Sequence, residues 1–138
     1  MERATKERYL SLALKVFGLV FVLGVPLMMM VVWPAAWTWE PRQPEYEQMM
    51  MGIYGTLGAF LIWASRDPMS HRSLIWFTVW SSVVHGAIMA AQALVDPADR
   101  INLLGDVAGL FLVAVVLCFL MPRGGAVRAA RSSSSSTA

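Results

Sequence analysis

Charge is scarce in this chain. Asp, Glu, Lys and Arg make up 14% of its 138 residues, where a water-soluble domain of this size carries about 25%. Cysteine is nearly absent. The single Cys118 lies inside an apolar run, so no intrachain disulfide forms, and thiol–disulfide exchange, which needs a pair, is excluded. Cys118 is expected to be a small packing residue. A glycine-rich phosphate loop, a serine elbow and an HExxH pair are all missing, so the reading leans away from an enzyme. The long apolar runs show no two-residue alternation of polar and apolar positions, which removes strands. No connecting segment is long enough to fold alone.

What is present is apolar. Hydrophobic residues make up 57% of the chain, and the mean hydropathy is +0.57. Four runs stand out, roughly Leu10–Trp33, Met49–Ala64, Leu74–Leu94 and Leu103–Met121. Crossing about 30 Å of hydrocarbon takes about 20 residues at 1.5 Å each. The second run is short and is extended outward through Glu47 and Gln48, whose side chains reach the headgroups. The expected fold is all-α: an integral membrane, up-down-up-down four-helix bundle over residues 1–122. Its helices are placed at about 10–33, 48–65, 74–94 and 102–121, because short connections make consecutive helices antiparallel. Residues 123–138, ending in a serine run, are expected to be a disordered cytoplasmic tail. The first run follows a basic start but is too long for a secretory signal, and Trp33 and Trp37 stand where a cleavage site prefers small residues. It is read as a retained helix.

Orientation follows from the basic residues. With both termini cytoplasmic, the inner side holds Arg3, Lys6, Arg8, Lys15, Arg66, Arg72, Arg123, Arg128 and Arg131, and the outer side only Arg42 and Arg100. Nine against two is a positive-inside bias. It points to a multi-pass protein of a cell inner membrane, with the lipid bilayer as its first partner. Nucleic acid is not expected, because these charges flank apolar helices rather than line a groove.

Pro26, after Gly24, predicts a bend late in the first helix. Trp33, Trp37 and Trp39 form a belt at the outer boundary, or an interface for another membrane protein. Small residues recur at Gly52, Gly55, Gly58 and Ala59, at Ser82, Gly86 and Ala90, and at Gly105, Gly109 and Ala114, as closely packed membrane helices require. His71 reads as a solvated loop residue. Runs of three methionines (28–30 and 49–51) point in three directions around a helix, so no metal site is assigned.

The third run carries a polar stripe: Thr78, Ser81 or Ser82, His85, Met89 and Gln92. Offsets of three, four and seven put these on one helix face, and such a face is costly against lipid. Asp106, placed about one turn into the fourth helix, and Tyr54 on the second reach a similar depth. Tyr54, His85, Gln92 and Asp106 are therefore expected to converge. They form either a hydrogen-bonded cluster that fixes helix register or a small ligand site for a quinone headgroup, a lipid or a proton.

The segments Ile53-Tyr54-Gly55-x-Leu57-Gly58, Ala64-Ser65-Arg66-Asp67-Pro68, and Arg72-Ser73-Leu74-Ile75-x-Phe77-Thr78-x-Trp80-Ser81-Ser82-x-x-His85-Gly86 with Gln92 resemble a bacterial family of small four-helix membrane proteins of unassigned function. That family is in turn similar to the broader DoxX-like group. The likeness implies an accessory subunit of a respiratory or sulfur-redox membrane complex, by analogy of fold and size. The leading expectation is thus a non-enzymatic accessory or assembly subunit with a membrane-protein partner or a second copy of itself. The alternatives are a quinone- or lipid-binding pocket protein and a proton-coupled transporter using Asp106.

Overall fold

The computed structural model describes residues 3–28, 30 and 44–122. Among these are four long helices and no strand. They are α1 (Arg3–Leu19), α2 (Pro44–Ala64), α3 (Arg72–Val95) and α4 (Asp106–Leu120). α1 starts well before its apolar run, with Arg3 and Glu7 paired one turn apart at 3.0 Å. α2 starts on Pro44, whose fixed φ and missing N–H suit a first helical position. The belt tryptophans Trp33, Trp37 and Trp39, and the tail 123–138, lie outside the described residues.

Two local features differ in form from the expectation. α1 continues through a π turn, Val20–Gly24, into Val25–Leu27. The Val25 N–H donates to the Val20 carbonyl, five residues back. This widened turn lies directly before Pro26, whose ring and lost donor disturb the regular ladder. The fourth helix starts later than expected. A 3-10 segment, Pro97–Leu103, precedes it, and Gly105 (φ −98°, ψ −95°) stands outside the helix as its cap. Glycine is a poor helix former, and here it separates the two segments. Asp106 is accordingly the first helical residue rather than one turn in.

Consecutive helices run antiparallel. Leu10 and Leu14 of α1 share a buried core with Leu61 of α2, Ile75 and Val79 of α3, and Val113, Ala114 and Leu117 of α4. At the other end Met89 packs with Val107 and Leu110. The buried positions recur with alternating steps of four and three: Ile75, Val79, Ser82, Gly86, Met89 and Ala93 on α3, and Val107, Leu110, Ala114, Leu117 and Met121 along α4. That is the seam of helices packed side by side. Thr78 and Ser82 are buried with the apolar residues. The Thr78 hydroxyl donates to the Leu74 carbonyl at 2.9 Å, so its polarity is met within its own turn. Cys118 is not a packing residue: it is exposed on α4.

A close backbone approach joins α1 to α2. A Cβ on Gly18 would lie 2.7 Å from the Gly58 carbonyl oxygen and 2.6 Å from Ile62 Cγ1. A Cβ on Gly58 would lie 2.7 Å from the Gly18 carbonyl oxygen. Around Gly52, Gly55 and Gly109 there is open space among the described residues. α1 packs closely on α2 and α4, and α4 on α3, whereas α2 and α3 stand further apart.

Gly58→Ala should therefore lose about 1–3 kcal/mol, the cost of overpacking against backbone. Gly52→Ala should gain up to about 1 kcal/mol from helix propensity. Thermal unfolding followed by helical circular dichroism reads both, and equal effects at the two positions would refute the close crossing.

Candidate functional site

Between α2 and α3 the link is made by side chains. The Tyr54 hydroxyl and His85 Nδ1 are hydrogen-bonded. Their rings lie 5.7 Å apart, centroid to centroid. Phe21, at the π turn of α1, meets the Tyr54 ring edge-on at 5.2 Å and 69°. Met89, Val107 and Leu110 pack beside Tyr54. The phenol is thus held by an aromatic edge, an apolar cluster and the imidazole at once. With the phenol donating, Nδ1 accepts and the imidazole proton resides on Nε2.

The expected four-residue convergence reduces to this pair. His85 is half-buried, but Gln92, seven residues further along, is exposed. Neither Gln92 nor Asp106 makes a side-chain hydrogen bond to the pair among the described residues. The reason lies in the α3 seam. Gly86 and Ala93 occupy buried positions, and His85 and Gln92 each precede one of them, about 100° to the side. Both residues flank the core, and only His85 meets a partner there. Asp106 is half-buried in the first turn of α4. Among the described residues no three His, Cys, Asp or Glu side chains form a metal-binding group.

The opposite end of the bundle holds a second polar zone. The start of α1, the α2–α3 turn and the end of α4 meet there. The Ser11 hydroxyl donates to the Ser65 carbonyl at 2.5 Å, and the Ser65 hydroxyl to the Ile62 carbonyl at 2.6 Å. Lys6 Nζ donates to the Phe119 carbonyl at 3.4 Å and lies 5.0 Å from the Phe119 ring centroid. Arg72 donates to the Pro122 carbonyl at 3.4 Å. Within the turn, the Ser70 hydroxyl and amide both donate to the Asp67 carboxylate. These bonds hold the Asp67 carboxyl below the ordinary aspartate range, the hydroxyl contributing most. A lowered pKa means that this stabilisation is present above the ordinary range and fades only as pH falls through the lower folded value. His71, expected in solvent, is half-buried with its ring 5.5 Å from that of Trp63. An open depression of about 470 Å³ lies between α1 and the turn, bordered by Glu7, Arg8, Ser11, Ser65, Arg66 and Asp67.

The model of one protein family matches residues 4–137, and the chain belongs to that family, DUF6632, a family of unknown function. No curated protein and no solved structure matches the chain. Membership of an uncharacterised family is thereby established, while none of these comparisons supports kinship with DoxX-like proteins or a bacterial source.

Sequence reasoning isolated Tyr54 and His85 but missed Gly18 and the depression beside the turn. Gly18 is a lone small residue in an apolar run and carries no repeating signal. The depression joins residues more than fifty positions apart, which periodicity does not reveal.

Tyr54→Phe and His85→Ala should show a coupling of about 0.5–1.5 kcal/mol in a double-mutant cycle on stability. Gln92→Ala should couple to neither. A coupling near zero between Tyr54 and His85 would remove the pair as a structural link.

Proposed function

We propose that the chain is an integral membrane four-helix protein acting as a non-enzymatic accessory or assembly subunit. Both of its ends lie at the basic, cytoplasmic face of a bacterial inner membrane. The observation that carries this reading is the apolar exterior. Two helices are long and apolar enough to span a bilayer, Arg3–Leu27 and Arg72–Val95, yet only 22% and 33% of their most apolar windows are buried. Leu12, Val16, Leu19 and Leu23 on α1, Phe77, Trp80, Val84 and Ile88 on α3, and Leu112, Val115 and Phe119 on α4 are all exposed. Meanwhile Ser65, Thr78 and Ser82 are buried. A water-soluble monomer does not expose so much contiguous apolar surface, whereas lipid tails are its natural cover.

The remaining apolar helices, Gln48–Ala64 and Asp106–Leu120, are shorter. In the proposed setting they cross by local thinning of the bilayer and by anchoring of their flanks. Arg3, Lys6, Arg8, Arg66 and Arg72 belong to the end where α1 begins and α4 finishes, which favours a positive-inside orientation with both ends on one side. A subunit role fits the space left open among the described residues at Gly52, Gly55 and Gly109, where another transmembrane helix, from a partner or a second copy, approaches closely. Trp33, Trp37 and Trp39 are proposed as further partner contacts on residue type alone, indole rings suiting the membrane boundary. A second reading has its own support in the Tyr54–His85 pair. A phenol and an imidazole at one point between helices suit the carbonyl of a quinone headgroup or the polar group of a lipid, with no chemistry of the protein's own.

Alkaline extraction should leave the chain in the membrane pellet, and impermeant labelling should mark both ends on the cytoplasmic side. Mild detergent should release it with a stoichiometric membrane partner or as a homo-oligomer. A solitary monomer would sink the subunit role while sparing the membrane assignment. For the second reading, mass spectrometry of co-extracted lipids should lose a species on His85→Ala. An unchanged lipid and quinone content would dismiss it.

A further inference from the structure

We propose that the depression between α1 and the α2–α3 turn binds the phosphate of an anionic phospholipid headgroup through Arg8 and Arg66. This inference rests on the membrane reading above, because it needs the turn to lie at headgroup level. Most polar groups in the depression are already engaged. Glu7 is paired with Arg3 at 3.0 Å. Both oxygens of Asp67 are taken by Ser70, with the Ser70 hydroxyl at 2.5 Å and its amide at 3.3 Å. The Ser11 hydroxyl is donated to the Ser65 carbonyl, and that of Ser65 to Ile62. Two cations remain. Among the described residues neither Arg8 nor Arg66 makes a side-chain hydrogen bond or an ion pair. Both are exposed on the rim of the same cavity.

The neighbouring basic groups are differently placed. Lys6 and Arg72 are spent on the carbonyls of Phe119 and Pro122 at the end of α4. Among the described arginines of this end, Arg8 and Arg66 are thus the two without such a bond, and both are on the α1–turn side. Guanidinium groups offer forked donors that fit phosphate oxygens, and about 470 Å³ of open space admits a headgroup. Next to the depression run exposed apolar rows: Leu12, Val16 and Leu19 on α1, and Phe60 and Trp63 on α2. These rows give the acyl chains of the same molecule a surface to follow, which a free phosphate does not use. Asp67 is the opposing charge. Because it stays ionised, it limits the affinity rather than provides it.

The test reconstitutes the full-length chain in nanodiscs of equal phosphatidylglycerol and phosphatidylcholine, then counts retained lipids by native mass spectrometry. Wild type should retain phosphatidylglycerol preferentially. Arg8→Gln and Arg66→Gln should each reduce that preference about fivefold, the worth of one basic group at an anionic surface. Asp67→Asn should increase it, and Arg72→Gln should leave it nearly unchanged. An equal loss for Arg72→Gln would reduce the effect to general surface charge and overturn the site. Inorganic phosphate at the same concentration as the lipid should leave retention unchanged. Displacement by it would make the ligand a soluble phosphate and overturn the lipid assignment. A chain that inserts into the nanodiscs but shows no preference would refute the site alone, whereas failure to insert would refute the membrane reading.

Discussion

The approach of α1 and α2 at Gly18 and Gly58 sets the spacing of the whole bundle. Each carbonyl oxygen lies 2.7 Å from where the other residue's Cβ would be, so any side chain at either position forces the helices apart. α1 is also in contact with α4, and α4 with α3. Drawing α2 onto α1 therefore takes it away from α3. The consecutive pair α2–α3 becomes the loosest seam, and side chains close it. Tyr54 is long enough to reach His85 across that seam, and Phe21 braces its ring from α1. The polar pair is thus a consequence of a backbone contact made at Gly58, four residues from Tyr54 along α2.

The two polar zones differ in what they leave unused. At the α2–α3 seam the phenol and the imidazole Nδ1 are bonded to each other, and Tyr54 packs on the apolar cluster around Met89. A ligand there competes with an existing hydrogen bond, whose net worth is about 1 kcal/mol. At the turn, the hydroxyls and carboxylates are internally consumed while two guanidinium groups are not. A ligand there has no such bond to break. This difference separates a register-setting contact from a surface with binding capacity, and it holds whichever function the chain performs.

Helix existence was legible because long apolar runs leave the chain few alternatives. Helix ends were less so. Gly105 stands inside an apolar stretch, and only its conformation separates the 3-10 segment from α4. The stripe on α3 was half legible. Offsets of three and four put Thr78, Ser82, His85, Met89 and Gln92 together, and Thr78, Ser82 and Met89 are buried as a set. Its other two members, His85 and Gln92, lie one residue to the side of the seam, beside Gly86 and Ala93. Periodicity finds a face about 100° wide and cannot say which edge of it meets a neighbour. Gly58 was one of several candidate small residues, but its partner Gly18 had no pattern of its own. A helix crossing is a property of two chain segments, and a one-dimensional pattern records each separately.

The position of the turn explains why so much of the chain's charge is engaged at one end. Ser65–His71 must reverse direction within a few residues after a helix with an apolar exterior. Its backbone bonds run back to Leu61, Trp63 and Ala64, and Ser11 of α1 secures the Ser65 carbonyl from outside. The Asp67–Ser70 bonds then fold the turn on itself. With these polar atoms used for structure, Arg66 of the turn and Arg8 of α1 both border the depression, and Ser11, one turn along from Arg8, is bonded to the same segment. The contacts that build the turn therefore bring both arginine positions to one depression. Two basic positions on separate elements, tied through one hydrogen bond, are an arrangement that charge counting alone does not distinguish from a diffuse basic edge. In the proposed membrane setting it gives the inner face one preferred position for a phosphate instead of an even attraction along its length.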